Sequence, residues 1–88
     1  MFEQLVPQEE LRDIAVGRRF NFTLIENEFV SGHGDGNFLR AIVRYEPTGQ
    51  CYAIGFWQAN DRARADGNYQ QPKPVHKEQR KFFFWTED

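Results

Sequence analysis

Leu11, Ile14 and Ala15 recur at the i, i+3, i+4 spacing of one helical stripe, which predicts a short helix over residues 7–16. Pro7 suits the first helical position, where its missing N–H removes nothing. Gln8, Glu9 and Glu10 place acceptors and negative charge in the first turn, where the helix dipole favours them. Gly17 then supplies a left-handed stop. Ten residues make a marginal helix in isolation, so this one needs a sheet to lie on.

The period changes to two after Gly17. Phe20, Phe22 and Leu24 alternate with Arg19, Asn21 and Thr23, the pattern of a half-buried strand with Asn21 facing solvent. Alternation falters over Ile25-Glu26-Asn27-Glu28, which predicts a bulge or tight turn before Phe29-Val30. SGHGDGN is a loop by composition, and Asp35-Gly36 is a hairpin-turn dipeptide. In FLRAIVRY, Leu39, Ala41, Val43 and Tyr45 share one face, while Phe38, Arg40, Ile42 and Arg44 share the other. Glu46-Pro47-Thr48-Gly49 reads as a turn with glycine where positive φ is required. QCYAIGFWQ is apolar on both faces, Cys51, Ala53 and Trp57 against Tyr52, Ile54 and Phe56, which marks a central strand.

Residues 60–79 differ in kind. They carry almost no periodic apolar positions, two prolines and an Asp-Gly step, and read as one long polar and basic loop. The closing run Phe82-Phe83-Phe84-Trp85 reads as a final strand occupied on both faces. The expected fold is therefore α+β: a single domain over residues 1–88, with a short N-terminal helix packed on an antiparallel sheet of about four strands. One helix covers one sheet face, so the second apolar face of the last strand predicts either a cover from the long loop or a homodimer.

Composition narrows the class. Of 88 residues, 40% are apolar and 27% charged, which is globular rather than disordered. Aromatics reach 16% while mean hydropathy is −0.74, so the apolar content is concentrated in few bulky rings. A single cysteine excludes an internal disulfide framework and a multi-thiolate zinc site. No apolar run approaches a membrane span, and the acidic start MFEQLVPQEE is wrong for a signal peptide, so a cytoplasmic protein is expected.

No catalytic set assembles from the residue types present. Cys51, His33 and His76 are the only candidates for a nucleophile–base pair, and Cys51 lies in the most apolar strand, where a thiol behaves as a small hydrophobe with a raised pKa. The glycine-rich SGHGDGN leads into a strand, not a helix, so it forms neither a P-loop nor a dinucleotide fingerprint. Asn21-Phe22-Thr23 matches the glycosylation pattern by chance in a chain with no secretory signal. The sequence calls for no cofactor, no metal and no membrane.

Charge is unevenly distributed. Residues 1–46 carry five Lys/Arg against eight Asp/Glu, a balance of −3, whereas residues 62–81 carry six against two, a balance of +4. Arg62, Arg64, Lys73, Lys77, Arg80 and Lys81, with Tyr69 between them, are the candidate partner-binding residues; Arg40 and Arg44 extend the set if their strand face is uncovered. Surplus aromatics and a polar loop without a catalytic set point to a non-enzymatic module acting by protein–protein contact. The expected type is a regulator or inhibitor, and its small size suits one encoded by a phage or mobile element. The alternative is a nucleic-acid-binding module using the 62–81 segment and aromatic strand faces, against which the net charge of −2 counts.

Overall fold

The computed structural model describes residues 5–59, 68–79 and 83–88, with the side chains of His33, Glu78, Gln79, Phe83 and Phe84 left aside. One helix, α1 (Gln8–Ala15), is followed by five strands: β1 (Phe22–His33), β2 (Gly36–Tyr45), β3 (Gln50–Ala59), β4 (Lys73–Gln79) and β5 (Phe83–Glu87). They form one antiparallel sheet in the order β1-β2-β3-β4-β5. The class is α+β as expected, but the sheet has five strands rather than four. The extra strand is β4, which occupies the last third of the expected 60–79 loop.

The helix forms where the stripe predicted it, with Leu11, Ile14 and Ala15 buried. Pro7 stands one position earlier than expected, as an extended N-cap whose carbonyl accepts the first helical bond from the Leu11 N–H (2.9 Å). Gly17 takes φ +79° at the exit. The chain then makes a turn instead of starting the strand at Phe20. Asn21 sits at φ +69° in that turn, so it is exposed but not a strand residue. This single left-handed residue breaks the alternation and leaves Phe20 in solvent.

Leu11, Ile14 and Ala15 pack on Phe22 of β1, Ala41 and Val43 of β2 and Tyr52, Ile54 and Phe56 of β3, and Leu24 packs against this cluster from its margin. Central β3 has a second core on its other face, where Ala53 meets Ile42 and Val75, flanked by Cys51 and Trp85. The 46–49 turn is closed by the Gly49 N–H bonding to the Tyr45 carbonyl (2.8 Å), with Gly49 at φ +74° as its sequence required. The β1–β2 connection is a two-residue turn at Gly34-Asp35, one position before the expected Asp35-Gly36.

The sheet curls. β1 and β5 lie at opposite ends of the strand order, yet the Trp85 indole N–H of β5 bonds to the Glu26 carboxylate of β1. Curling is aided by the short β3–β4 pairing, which covers only Cys51↔Val75, Tyr52↔Pro74 and Ala53↔Lys73, whereas β4 and β5 pair from Val75↔Glu87 to Gln79↔Phe83. The β4–β5 hairpin is thereby free to bend over the face opposite the helix.

Candidate functional site

The faltering alternation in β1 is a pair of bulges. Ile25 and Val30 are the extra residues, because Leu24↔Val43 is followed by Glu26↔Ile42, and Phe29↔Leu39 by Ser31↔Phe38. A one-residue insertion flips every following side chain to the other face. The first bulge therefore carries Glu26 and Glu28 to the face opposite the helix, beside Ile42 and Arg40 of β2. Without it both carboxylates would follow Leu24 toward the core.

Those carboxylates organise the second face. Arg40 Nη2 donates to Glu28 Oε1 (2.7 Å) and to the Trp85 carbonyl (3.1 Å). Lys77 Nζ stands 5.5 Å from the centroid of the Trp85 ring, a cation–π distance. Arg40 Nε is buried without an acceptor among the described residues. Being closed to solvent, it is no docking point for an anion.

Beside this latch lies an open groove of about 450 Å³, lined by Glu28, Phe29, Val30, Phe38, Arg40, Gln70 and Glu87. Phe38 is pressed against Gly55, where an added Cβ would come within 2.9 Å of its ring and 2.6 Å of the Gln70 side chain. Phe29 is 63% exposed, and Val30, pushed out by the second bulge, is exposed beside it. The groove thus pairs two solvent-facing apolar side chains with two carboxylates that already have partners, Glu28 on Arg40 and Glu87 on Lys73 (3.7 Å).

The residues singled out from sequence fare unevenly. Arg40 reaches the groove, and Arg44 stays on the same face but pairs with Glu46 (2.9 Å) away from it. Glu46 also accepts from Thr23 Oγ1 (2.7 Å), and these two bonds, Thr23 first, hold its carboxyl below the usual range. Tyr69 is corrected outright: it is 7% exposed and stacks on Phe56 with centroids 5.4 Å apart, so its ring belongs to the core and not to a partner-facing surface. Lys73 and Lys77 are exposed on β4. Arg62, Arg64, Arg80 and Lys81 lie outside the described residues, as do Phe82 and the first part of the expected loop. Sequence reading missed Glu26 and Glu28. Their signal was the broken alternation, which gave the bulge but not its purpose.

Cys51 is half-buried beside the second core. Burial pushes its thiol up, against the opposing pull of the Arg44 guanidinium. Alkylation by iodoacetamide at about pH 8 should therefore run several-fold slower on the folded protein than on the urea-unfolded chain. Equal rates would place the thiol in solvent. Among the described residues no cluster of His, Cys, Asp and Glu could hold a metal ion, and no helix is long and apolar enough to cross a membrane.

No protein-family model, no curated protein and no solved structure matches this chain.

Proposed function

We propose that this chain is a small non-enzymatic binding module that acts by contact with another protein, as a regulator or inhibitor of it. The observation that supports this reading best is the groove with Phe29 and Val30 exposed at its rim. Exposed aromatic side chains beside a concave, partly apolar surface are the usual anchors of protein interfaces. Among the described residues the lining's cation, Arg40, is already paired with Glu28, which favours a protein over nucleic acid because a phosphate backbone needs unpaired positive charge.

Affinity capture from the native host, with and without nuclease, tests the proposal. The wild-type protein should retain a nuclease-resistant protein partner, and Phe29→Ser with Val30→Ser should weaken that partner's binding tenfold or more, about 1.4 kcal/mol. The melting temperature should barely move, because both side chains are solvent-facing. Recovery that vanishes with nuclease, or affinity untouched by the double change, would refute the reading.

A further inference from the structure

Glutamine side chains bond to peptide backbone in two places in this molecule. The Gln8 carboxamide donates to the Tyr69 carbonyl and accepts from the Tyr69 N–H, and the Gln71 carboxamide does the same with Val6. A primary amide carries the donor and acceptor of a peptide group, so each pair satisfies both main-chain groups of one residue. Gln70 stands between Tyr69 and Gln71, and its side chain makes no hydrogen bond among the described residues. The Tyr69 ring lies in the helix-facing core, whereas the Gln70 carboxamide lies over Gly55 in the lining of the Phe29 groove.

Gly55 makes room for it. A Cβ there would stand 2.6 Å from Gln70 Oε1 and 2.9 Å from the Phe38 ring, so the missing side chain lets amide and ring lie close on β3. Glycine inside a strand commonly marks a place where another backbone or a ligand comes close. The groove thus combines an apolar rim, an aromatic wall at Phe38 and one exposed carboxamide whose donor and acceptor no described residue takes.

The charge of the lining narrows the occupant. It holds two carboxylates, Glu28 and Glu87, against one guanidinium, Arg40. Arg40 is little exposed, and its Nη2 already donates to Glu28 and to the Trp85 carbonyl. Glu87 is more than half exposed, and its 3.7 Å pair with a similarly exposed Lys73 is of the weakly held kind. An entering cation therefore finds Glu87 able to accept a further bond, while an entering carboxylate finds the nearest guanidinium taken.

We infer that the groove takes an extended peptide segment of the partner protein. Gln70 pairs with the N–H and carbonyl of one of its residues, an apolar side chain of the segment packs against Phe29 and Phe38, and a neighbouring Lys or Arg meets Glu87. This rests on the binding reading above and gives the partner its chemistry. Main-chain bonds supply affinity and the flanking side chains choose the sequence, as in other strand-like peptide recognition.

An NMR titration of the isotope-labelled full chain with the peptide acetyl-Lys-Val-Phe-Val-Lys-amide decides the matter, its β-branched residues favouring the extended form. The Gln70 side-chain amide and the Gly55 N–H resonances should shift saturably, with a Kd of about 1 mM or tighter. Gln70→Ala, followed at Gly55, should weaken binding about tenfold, the worth of one or two hydrogen bonds, and leave the melting temperature unchanged. N-methylation of both valines, or glutamate in place of both lysines, should weaken the peptide by a similar factor. The inference is overturned if the lysine peptide gives no saturable shift, if either altered peptide binds as well, or if Gln70→Ala binds like wild type. A captured host partner that Phe29→Ser with Val30→Ser releases, but Gln70→Ala holds at full affinity, overturns the peptide inference alone and leaves the binding reading standing.

Discussion

Replacing Phe56 by alanine is expected to cost about 3–5 kcal/mol, a large share of the roughly 5–15 kcal/mol that holds a single domain folded. Phe56 lies on central β3, 6% exposed and packed in the helix-facing cluster. Its ring also stacks on Tyr69 at an interplanar angle of 19°, a contact that contributes beyond area burial. The residue that follows Tyr69, Gln70, bonds through its N–H to the Gly55 carbonyl of β3 (2.7 Å). Truncation at Phe56 thus opens a cavity in the helix-facing core and loosens the 68–72 segment with it. Thermal denaturation checks this, and a variant melting within a degree or two of wild type would show that β3 is assigned to the wrong face.

Trp85→Ala is expected to cost about 3 kcal/mol, through a different route. Trp85 packs on Ile42, Ala53 and Val75, donates to Glu26 and lies under Lys77. Its loss leaves two fully buried side chains, Ile42 and Val75, without their outer cover. Because β4 is joined to β3 by only three residue pairs, the damage should concentrate in the β4–β5 hairpin. Hydrogen exchange should quicken at the β4 and β5 amides by more than at β2 and β3. Uniform acceleration across the sheet, or a urea midpoint unchanged from wild type, would mean that the second face is not a core.

The parts of this fold legible in sequence are those fixed by neighbours along the chain. Leu11, Ile14 and Ala15 announce the helix, and the β2–β3 pair follows from unbroken alternation on both sides of a turn whose Gly49 needs positive φ. β4 was not legible because Lys73-Pro74-Val75-His76-Lys77-Glu78-Gln79 holds one buried apolar residue, Val75, and a proline within the strand. Its extended state comes from pairing with β5, a tertiary fact. Phe20 was placed inward on parity alone, since nothing in Phe20-Asn21-Phe22 marks Asn21 as left-handed. The groove was half legible: Phe38 and Arg40 were on the right strand face, but Glu28 arrived there only through a bulge whose direction the sequence does not state.

Two glutamines join the start of the described chain to the 69–71 segment. Gln8 gives its side-chain amide to the Tyr69 carbonyl (2.6 Å) and accepts from the Tyr69 N–H (2.9 Å), while Gln71 makes the same reciprocal pair with the backbone of Val6 (2.9 and 3.0 Å). The partners are 61 and 65 residues apart. During synthesis Val6 and Gln8 therefore precede their mates, and these amide bonds cannot all form until residue 71 has left the ribosome. Contacts of such separation carry the loop-closure entropy that slows folding. These two reciprocal pairs are therefore expected to close late, after the β1–β2 and β2–β3 pairings of shorter separation have formed.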